Sequence, residues 1–521
     1  MSDWRGSEFE IRLGPPGHGG FCVGRHEGRV VFVRHGLPGE LVRAVVTEDR
    51  GGSFCRADAV EILEASPDRV PAVCPVSGPG GAGCCDFSYA TPATQRALKA
   101  TVVAEQLRRL ADLDLEIVVE PITGYPADAT GGWRTRVRLA VDAHGRAGVH
   151  RYRSTGVITD LRCPQPVPGA MDGIAERAWT PGSELVVAVD GDGVRHIVEL
   201  APAEVDPRAG QRRGRGRTDT DGRSRGRGGR PGYGPRGTNS NARGAENSDH
   251  GQKWPGADNP GGGASGASSA DWSRAEKSGR GPHGPDSDRS GADWPGATDS
   301  GRAQQGAGRE RRHAAARRAA THAPREEWVL AGSGRAVEYV AGRRWEVSAT
   351  GFWQAHRDAA QCYSDLIAQW SGVKSGDLAW DLYSGAGVFA ARLAEQVGAD
   401  GAVRAVEFAR TAVADGNAAL HDLPWVDLRA DRTERWIAEH ASGASPAAVV
   451  LDPPRAGAGK TVIAALADAD PARIIHIGCD PASFARDLGL YQAAGYTLTE
   501  LRAFDAFPGT HHVECLALLQ R

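Results

Sequence analysis

Between residues 378 and 477 short apolar runs alternate with amphipathic stretches, the pattern of strands interleaved with helices in an α/β sheet. Leu378-Ala379-Trp380-Asp381-Leu382 runs into Ser384-Gly385-Ala386-Gly387 and then into a predicted helix over Phe389–Gln396. Ala402-Val403-Arg404-Ala405-Val406, Trp425–Arg429, Ala448-Val449-Val450-Leu451 and Arg473-Ile474-Ile475-His476-Ile477 read as the strands that follow. Residues 1 to about 65 carry a different pattern, with short strand-like runs such as Arg29–Arg34 and Glu40–Val46 around the turn Leu37-Pro38-Gly39. A small closed β-barrel is the economical way to bury so short an all-β piece. A helix is predicted over Thr94–Leu110. Strands are predicted over Val137–Val141, Glu184–Val189, Val337–Val340 and Arg344–Val347, with a helix ending near Trp370.

From 205 to 325 large apolar residues nearly vanish and Gly, Arg, Ser, Asp and Pro dominate. Such a stretch cannot bury enough surface to offset its ordering entropy, so it is predicted to be a disordered insertion. Its Arg/Gly run Gln211–Arg217 suits non-specific RNA contact or a neutral linker equally well. The pattern divides the chain into a barrel (1–68), a β-rich central region (69–204), the insertion (205–325) and an α/β domain (326–521). In the central region Arg134, Arg136 and Arg138 alternate, so a strand would set them on one face. Beside Trp133 and Tyr152 that face is either a phosphate-tracking surface or a solvated exterior.

Composition narrows the partners. The 521 residues carry a net charge of -3, so nucleic-acid contact must use local patches rather than a global basic field. No apolar run is long enough to span a membrane, and the N-terminus lacks the apolar core of a signal peptide. Nine cysteines, an odd number, suit a cytoplasmic protein with functional thiols better than a disulfide framework.

The chemistry gathers at the ends of the predicted strands. Asp452-Pro453-Pro454-Arg455 and Gly478-Cys479-Asp480-Pro481 each follow one, and loops at carboxyl ends of strands form the ligand crevice of an open α/β sheet. With Glu514 they offer a thiol and carboxylates for covalent catalysis with proton transfer. The glycine turn at 385–387 lets backbone approach a nucleotide-like ligand, Glu407 after the second strand can take ribose hydroxyls, and Asp431 can reach an adenine edge. A dinucleotide-binding fold is the rival, but its Gly-x-Gly-x-x-Gly is missing.

Three resemblances extend this reading. Gly17-His18-Gly19-Gly20-Phe21, Leu37-Pro38-Gly39-Glu40 and Ser66-Pro67-Asp68-Arg69-Val70 resemble a TRAM domain, an OB-like RNA-binding barrel. The order of glycine turn, Glu407, Asp431 and Asp-Pro-Pro-Arg resembles a class I methyltransferase of the Rossmann-like kind, with S-adenosyl-L-methionine as cofactor. Ile477–Leu488 and Phe507–Glu514 resemble the nucleophile and proton-acceptor motifs of RNA uridine-5-methyltransferases. The resemblance implies methylation of carbon 5 of a uridine in rRNA or tRNA through a covalent Cys–C6 adduct. It implies Cys479 as nucleophile and Glu514 as base, with Gln354, Tyr383, Glu407, Asp431 and Asp452 at the cofactor. A helix starting near Pro481 is expected to lower the Cys479 pKa. Members with a TRAM domain often hold an iron–sulfur cluster, which here would use Cys74, Cys85 and Cys163. The adjacent pair Cys84-Cys85 departs from the family spacing. Two other readings remain: a non-catalytic RNA-binding protein on the same fold, and an amino-group methyltransferase that leaves Cys479 without a role.

Overall fold

The computed structural model describes residues 3–203 and 325–521; the segment read as an insertion falls almost wholly outside them. Strands β1 (Glu8–Arg12), β2 (Pro16–Gly17), β3 (Phe21–His26), β4 (Arg29–Arg34), β5 (Leu41–Asp49) and β6 (Phe54–Glu64) form one sheet in the order β1-β5-β6-β4-β3-β2. Just past β1 the Gly14 amide bonds to the Val23 carbonyl of β3 at 2.8 Å, bringing the two ends of the sheet together. Alternate positions, among them Val31, Val33, Val42, Ala44 and Ala57, point into the barrel core. Glu40 shows why the turn carries an acid. Its buried carboxylate takes the Leu37 amide, the Ser66 amide and the Arg69 guanidinium, pinning the turn to the chain that leaves the barrel.

That chain continues into α1 (Pro92–Ala111), started by the Thr91 hydroxyl and a proline in the first turn, and β7 (Val119–Pro121). The central sheet follows: β8 (Arg136–Val141), β9 (Ala147–His150), β10 (Val157–Ile158), β11 (Glu184–Val189), β12 (Arg195–Leu200) and β13 (Glu327–Ala331), in the order β10-β9-β8-β11-β12-β13. Next come the hairpin β14 (Arg335–Val340) and β15 (Arg343–Ser348), then helix α2 (Ala359–Ser371).

The last layer alternates as expected: β16 (Leu378–Leu382), α3 (Val388–Val397), β17 (Ala402–Glu407), α4 (Arg410–Ala419), β18 (Val426–Ala430), α5 (Thr433–His440), β19 (Ala448–Leu451), α6 (Gly459–Ala469), β20 (Arg473–Gly478), α7 (Pro481–Ala493), β21 (Thr497–Asp505) and β22 (Glu514–Gln520). Its sheet runs β18-β17-β16-β19-β20-β22-β21-β7. Strand β22 lies antiparallel between β20 and β21, which separates this sheet from the all-parallel dinucleotide fold. The central strands are covered on both faces, so they read as near-continuous apolar runs. Among the described residues no helix is long and apolar enough to cross a membrane.

Three sequence expectations change. Strand β13 lies inside 326–521 yet pairs with β12 of the central sheet, and β7 lies inside 69–204 yet extends the last sheet along β21. The arginine row is not one open face. Arg136 is buried against Glu338 and the Gly351 carbonyl, Arg134 bonds to Gln165, and Trp133 is wholly buried on His356; only Arg138 is exposed. Two covered faces turn arginines inward wherever a partner waits, and those partners are distant in sequence.

The chain leaves the central sheet after β12 and returns at β13, where the Ala201 amide bonds to the Glu326 carbonyl at 2.9 Å. Joining Ala203 to Arg325 by a short Gly/Ser turn in place of 204–324 is therefore expected to preserve the fold. The melting temperature should fall by no more than about 4 °C, since shortening a loop lowers its closure cost. Thermal unfolding followed by circular dichroism checks this; a drop well beyond that shows the segment contributes to the folded unit.

Candidate active site

The turn after β16 is built for close approach. Tyr383, Gly385 and Gly387 have φ of 62°, 55° and 74°, so the turn is left-handed at three alternate positions, two of them glycines that take it without strain. Glu407 at the end of β17 braces it, accepting from the Gly385 amide at 3.1 Å and the Ala409 amide at 2.7 Å. Trp345 of β15 donates to the Ala386 carbonyl at 3.0 Å and ties the hairpin to the same turn.

These loops open on a cleft of about 760 Å³, in the range of a cofactor-sized pocket. Gln354, Tyr383, Glu407 and Asp452 line it together with Cys479 and Glu514. Asp431 does not. Its carboxylate turns to Arg435 at 2.6 Å and the Arg432 amide, and the wall there is Arg432, Thr433 and Glu434. Phe408 and Phe352, both exposed at the cleft, were not singled out from sequence; an aromatic in a loop gives no periodic signal of where it points.

Sheet register brings the thiol and the late carboxylate together. Strands β20 and β22 pair antiparallel up to Gly478 opposite Cys515. Cys479 follows Gly478 and Glu514 precedes Cys515, so the two strands end with the thiol and the carboxyl on neighbouring chains, and both line the cleft. Leu451 pairs with Leu382 and with His476, so Asp452 leaves its strand at nearly the same level.

Burial sets the charges here. It pushes the Cys479 thiol up to about 12, and the neighbouring Glu514 pushes the same way while Arg455 opposes. Glu514 is fully buried with one oxygen unpartnered, and burial and Asp452 raise it well above the usual carboxylate range. Asp452 rises to about 7, again chiefly by burial, against the hydrogen bond it accepts from Gln354 at 3.2 Å. The expected lowering of the thiol by the start of α7 is overturned. Asp480 caps that helix, taking the Ala482 and Ser483 amides at 3.1 and 2.9 Å, and its own charge raises the thiol further. Arg455 donates to His512, whose ring burial holds neutral, at about 2.

Outside this cleft the cysteines converge. Cys85 is within hydrogen-bonding reach of Cys74, Cys84 and Cys163, so the adjacent pair Cys84-Cys85 does serve one locus. No three or more His, Cys, Asp or Glu among the described residues are set to hold a metal ion; the thiols close on one another. The buried Arg134 guanidinium lies beside Cys163, Cys84 and Cys85. That donor chemistry, four thiols and a cation, suits a thiolate-bound anionic cluster.

Comparison with known proteins decides the family. A tRNA (uracil-5-)-methyltransferase family model matches residues 443–521, and a TRAM domain model matches residues 4–60. An uncharacterized RNA methyltransferase of Streptomyces avermitilis is 35% identical over 99% of this chain and 98% of its own length. The chain belongs to the RNA uracil-5-methyltransferase family. The 23S rRNA (uracil(1939)-C(5))-methyltransferase RlmD of Alkalilimnicola ehrlichii is 29% identical over 98% of this chain and 96% of its own length. The crystal structure of Pyrococcus abyssi tRNA (uracil-54, C5)-methyltransferase in complex with S-adenosyl-L-homocysteine shares the fold, with a TM-score of 0.56 and 16% identity over 98% of this chain and 100% of that one. As a member of this family the chain is an S-adenosyl-L-methionine-dependent enzyme acting on RNA.

The charge balance can be read directly from thiol reactivity. Alkylation of Cys479 in the free enzyme, followed by mass spectrometry, is expected to stay slow at neutral pH and to accelerate toward pH 12. Glu514→Gln removes a raising charge, so the midpoint should move down. A wild-type midpoint at or below the ordinary cysteine value contradicts the burial argument.

Proposed function

We propose that this enzyme methylates carbon 5 of a uridine in ribosomal or transfer RNA through a covalent adduct. The observation that carries the reading is that Cys479 and Glu514, each next to the last residue pair between β20 and β22, line one cleft with the cofactor loops. Carbon 5 of uracil is too weak a nucleophile to take a methyl group unaided. The Cys479 thiol releases its proton to solvent, the thiolate adds to carbon 6, and the electron pair of the 5,6 double bond moves toward the 4-carbonyl, giving an enolate. Carbon 5 then attacks the sulfonium methyl group, and S-adenosylhomocysteine leaves. Glu514 takes the carbon 5 proton, the double bond re-forms and the thiolate departs.

The shifted groups suit this sequence. A raised carboxyl is a stronger base once ionised. A buried thiol held protonated in the free enzyme is protected until a cation enters, and the sulfonium carries one. Gln354, Tyr383, Glu407 and Asp452 are the residues we assign to the cofactor, with Thr433 and Glu434 in place of Asp431.

RNA carrying 5-fluorouridine tests the adduct, because fluorine cannot leave as a proton. A complex stable on a denaturing gel is expected with wild type and absent in Cys479→Ala. In Glu514→Gln, ordinary uridine RNA should accumulate the methylated adduct while turnover falls roughly 10²–10⁴-fold. Methylation that survives Cys479→Ala refutes the reading and favours amino-group chemistry. Sequencing the trapped RNA distinguishes ribosomal from transfer RNA.

We infer further that Cys74, Cys84, Cys85 and Cys163 hold an iron–sulfur cluster beside Arg134. When bound it supplies a redox-active body in the central region, and the methyl transfer needs no step through it. Iron and acid-labile sulfide are expected after anaerobic reconstitution and should fall sharply in Cys84→Ser. Their absence from reconstituted wild type overturns the assignment.

A further inference from the structure

The barrel reaches the nucleophile loop. His18 sits in Gly17-His18-Gly19-Gly20, between β2 and β3, and its Nε2 lies 2.9 Å from Asp480 Oδ2. Asp480 is the residue after Cys479, and its other oxygen caps α7. Burial raises this carboxyl, but the His18 bond and the Ser483 amide outweigh it and bring it to about 2. The carboxylate is therefore an acceptor, and His18 Nε2–H must be the donor.

A second contact holds the same loop in place. Gly20 has φ +79°, and a Cβ there would lie 3.2 Å from the Asp86 Cβ and 3.3 Å from that of His511. Asp86 in turn bonds both His511, three residues before Glu514, and Arg34 of β4. A cavity of about 20 Å³, one water in size, remains between His18, Gly20, Lys99, Cys479, Asp480 and His512. The cofactor loops meet Cys479 through the large cleft, to which none of residues 17–20 contributes. The barrel loop therefore backs the nucleophile from another side.

We propose that His18 is a positioning residue for the methyl transfer. It fixes Asp480, and through it the first turn of α7 and the peptide that carries Cys479. The barrel is then part of the active site in addition to any grip it has on RNA. The proposal rests on Cys479 being the nucleophile.

Steady-state methylation of transcribed RNA by the full chain, with cofactor affinity measured separately, tests it. His18→Ala is expected to lower kcat roughly tenfold to hundredfold, the range of one lost hydrogen bond to a charged group, with RNA KM and cofactor Kd changed by less than about twofold. The rate of 5-fluorouridine adduct formation should fall in parallel. His18→Gln should restore most of kcat, because its amide nitrogen donates at similar reach. A rise in KM with kcat intact overturns the proposal and leaves the loop as an RNA grip. A loss that Gln does not restore overturns it too, and marks the ring as packing. Cys479→Ala run alongside separates the two readings. Activity that survives it removes the nucleophile itself, whereas its loss beside an unaffected His18→Ala rejects only the positioning role.

Discussion

The antiparallel pairing of β22 with β20 is the constraint on which the active site depends. Parallel neighbours deliver Asp452 and Cys479 to the same end of the sheet, but neither starts a chain segment at that end. An antiparallel strand does, and β22 starts there at Glu514. A slip of one residue would turn Glu514 to the opposite face. The run Cys515–Leu519 is buried throughout, so the strand that begins at Glu514 is itself part of the core.

The electrostatics follow from that placement. Setting a thiol and two carboxyls in one desolvated cleft makes each disfavour the charge of the others. The free enzyme settles this with protons rather than counter-ions, since the nearest cation, Arg455, is engaged with His512. A cofactor bearing positive charge reverses the balance.

Much of this was legible because two-sided burial writes itself into sequence. The apolar runs of β16, β17, β19 and β20 and the glycine turn at 385–387 gave their elements and the side of the sheet where ligands sit. Partnership over long separations was not legible. Arg134 and Arg136 looked like an outer face because Gln165, Glu338 and Gly351 carry no mark of where they fold back. Spacing along the chain likewise says nothing about the turn that brings Cys85 within hydrogen-bonding reach of Cys74 and Cys163. Asp431 fell to a local competitor, Arg435 one helical turn on, whose guanidinium lies 2.6 Å from its carboxylate. The thiol shift failed because burial of the sulfur, with Glu514 beside it, outweighs the helix start.

Strand β7 bears on how such a protein can have been assembled. It comes from the stretch between barrel and central sheet, yet it closes the outer edge of the catalytic sheet along β21. Arg502 of β21 reaches back to Glu120 on it. The methyltransferase layer is therefore not a cassette that recombination could lift out at its linear boundary. Cut free, it would present β21 as an unpaired edge, open to pairing with other chains. Modular in sequence, the enzyme is woven in space, and its parts are bound to be inherited together.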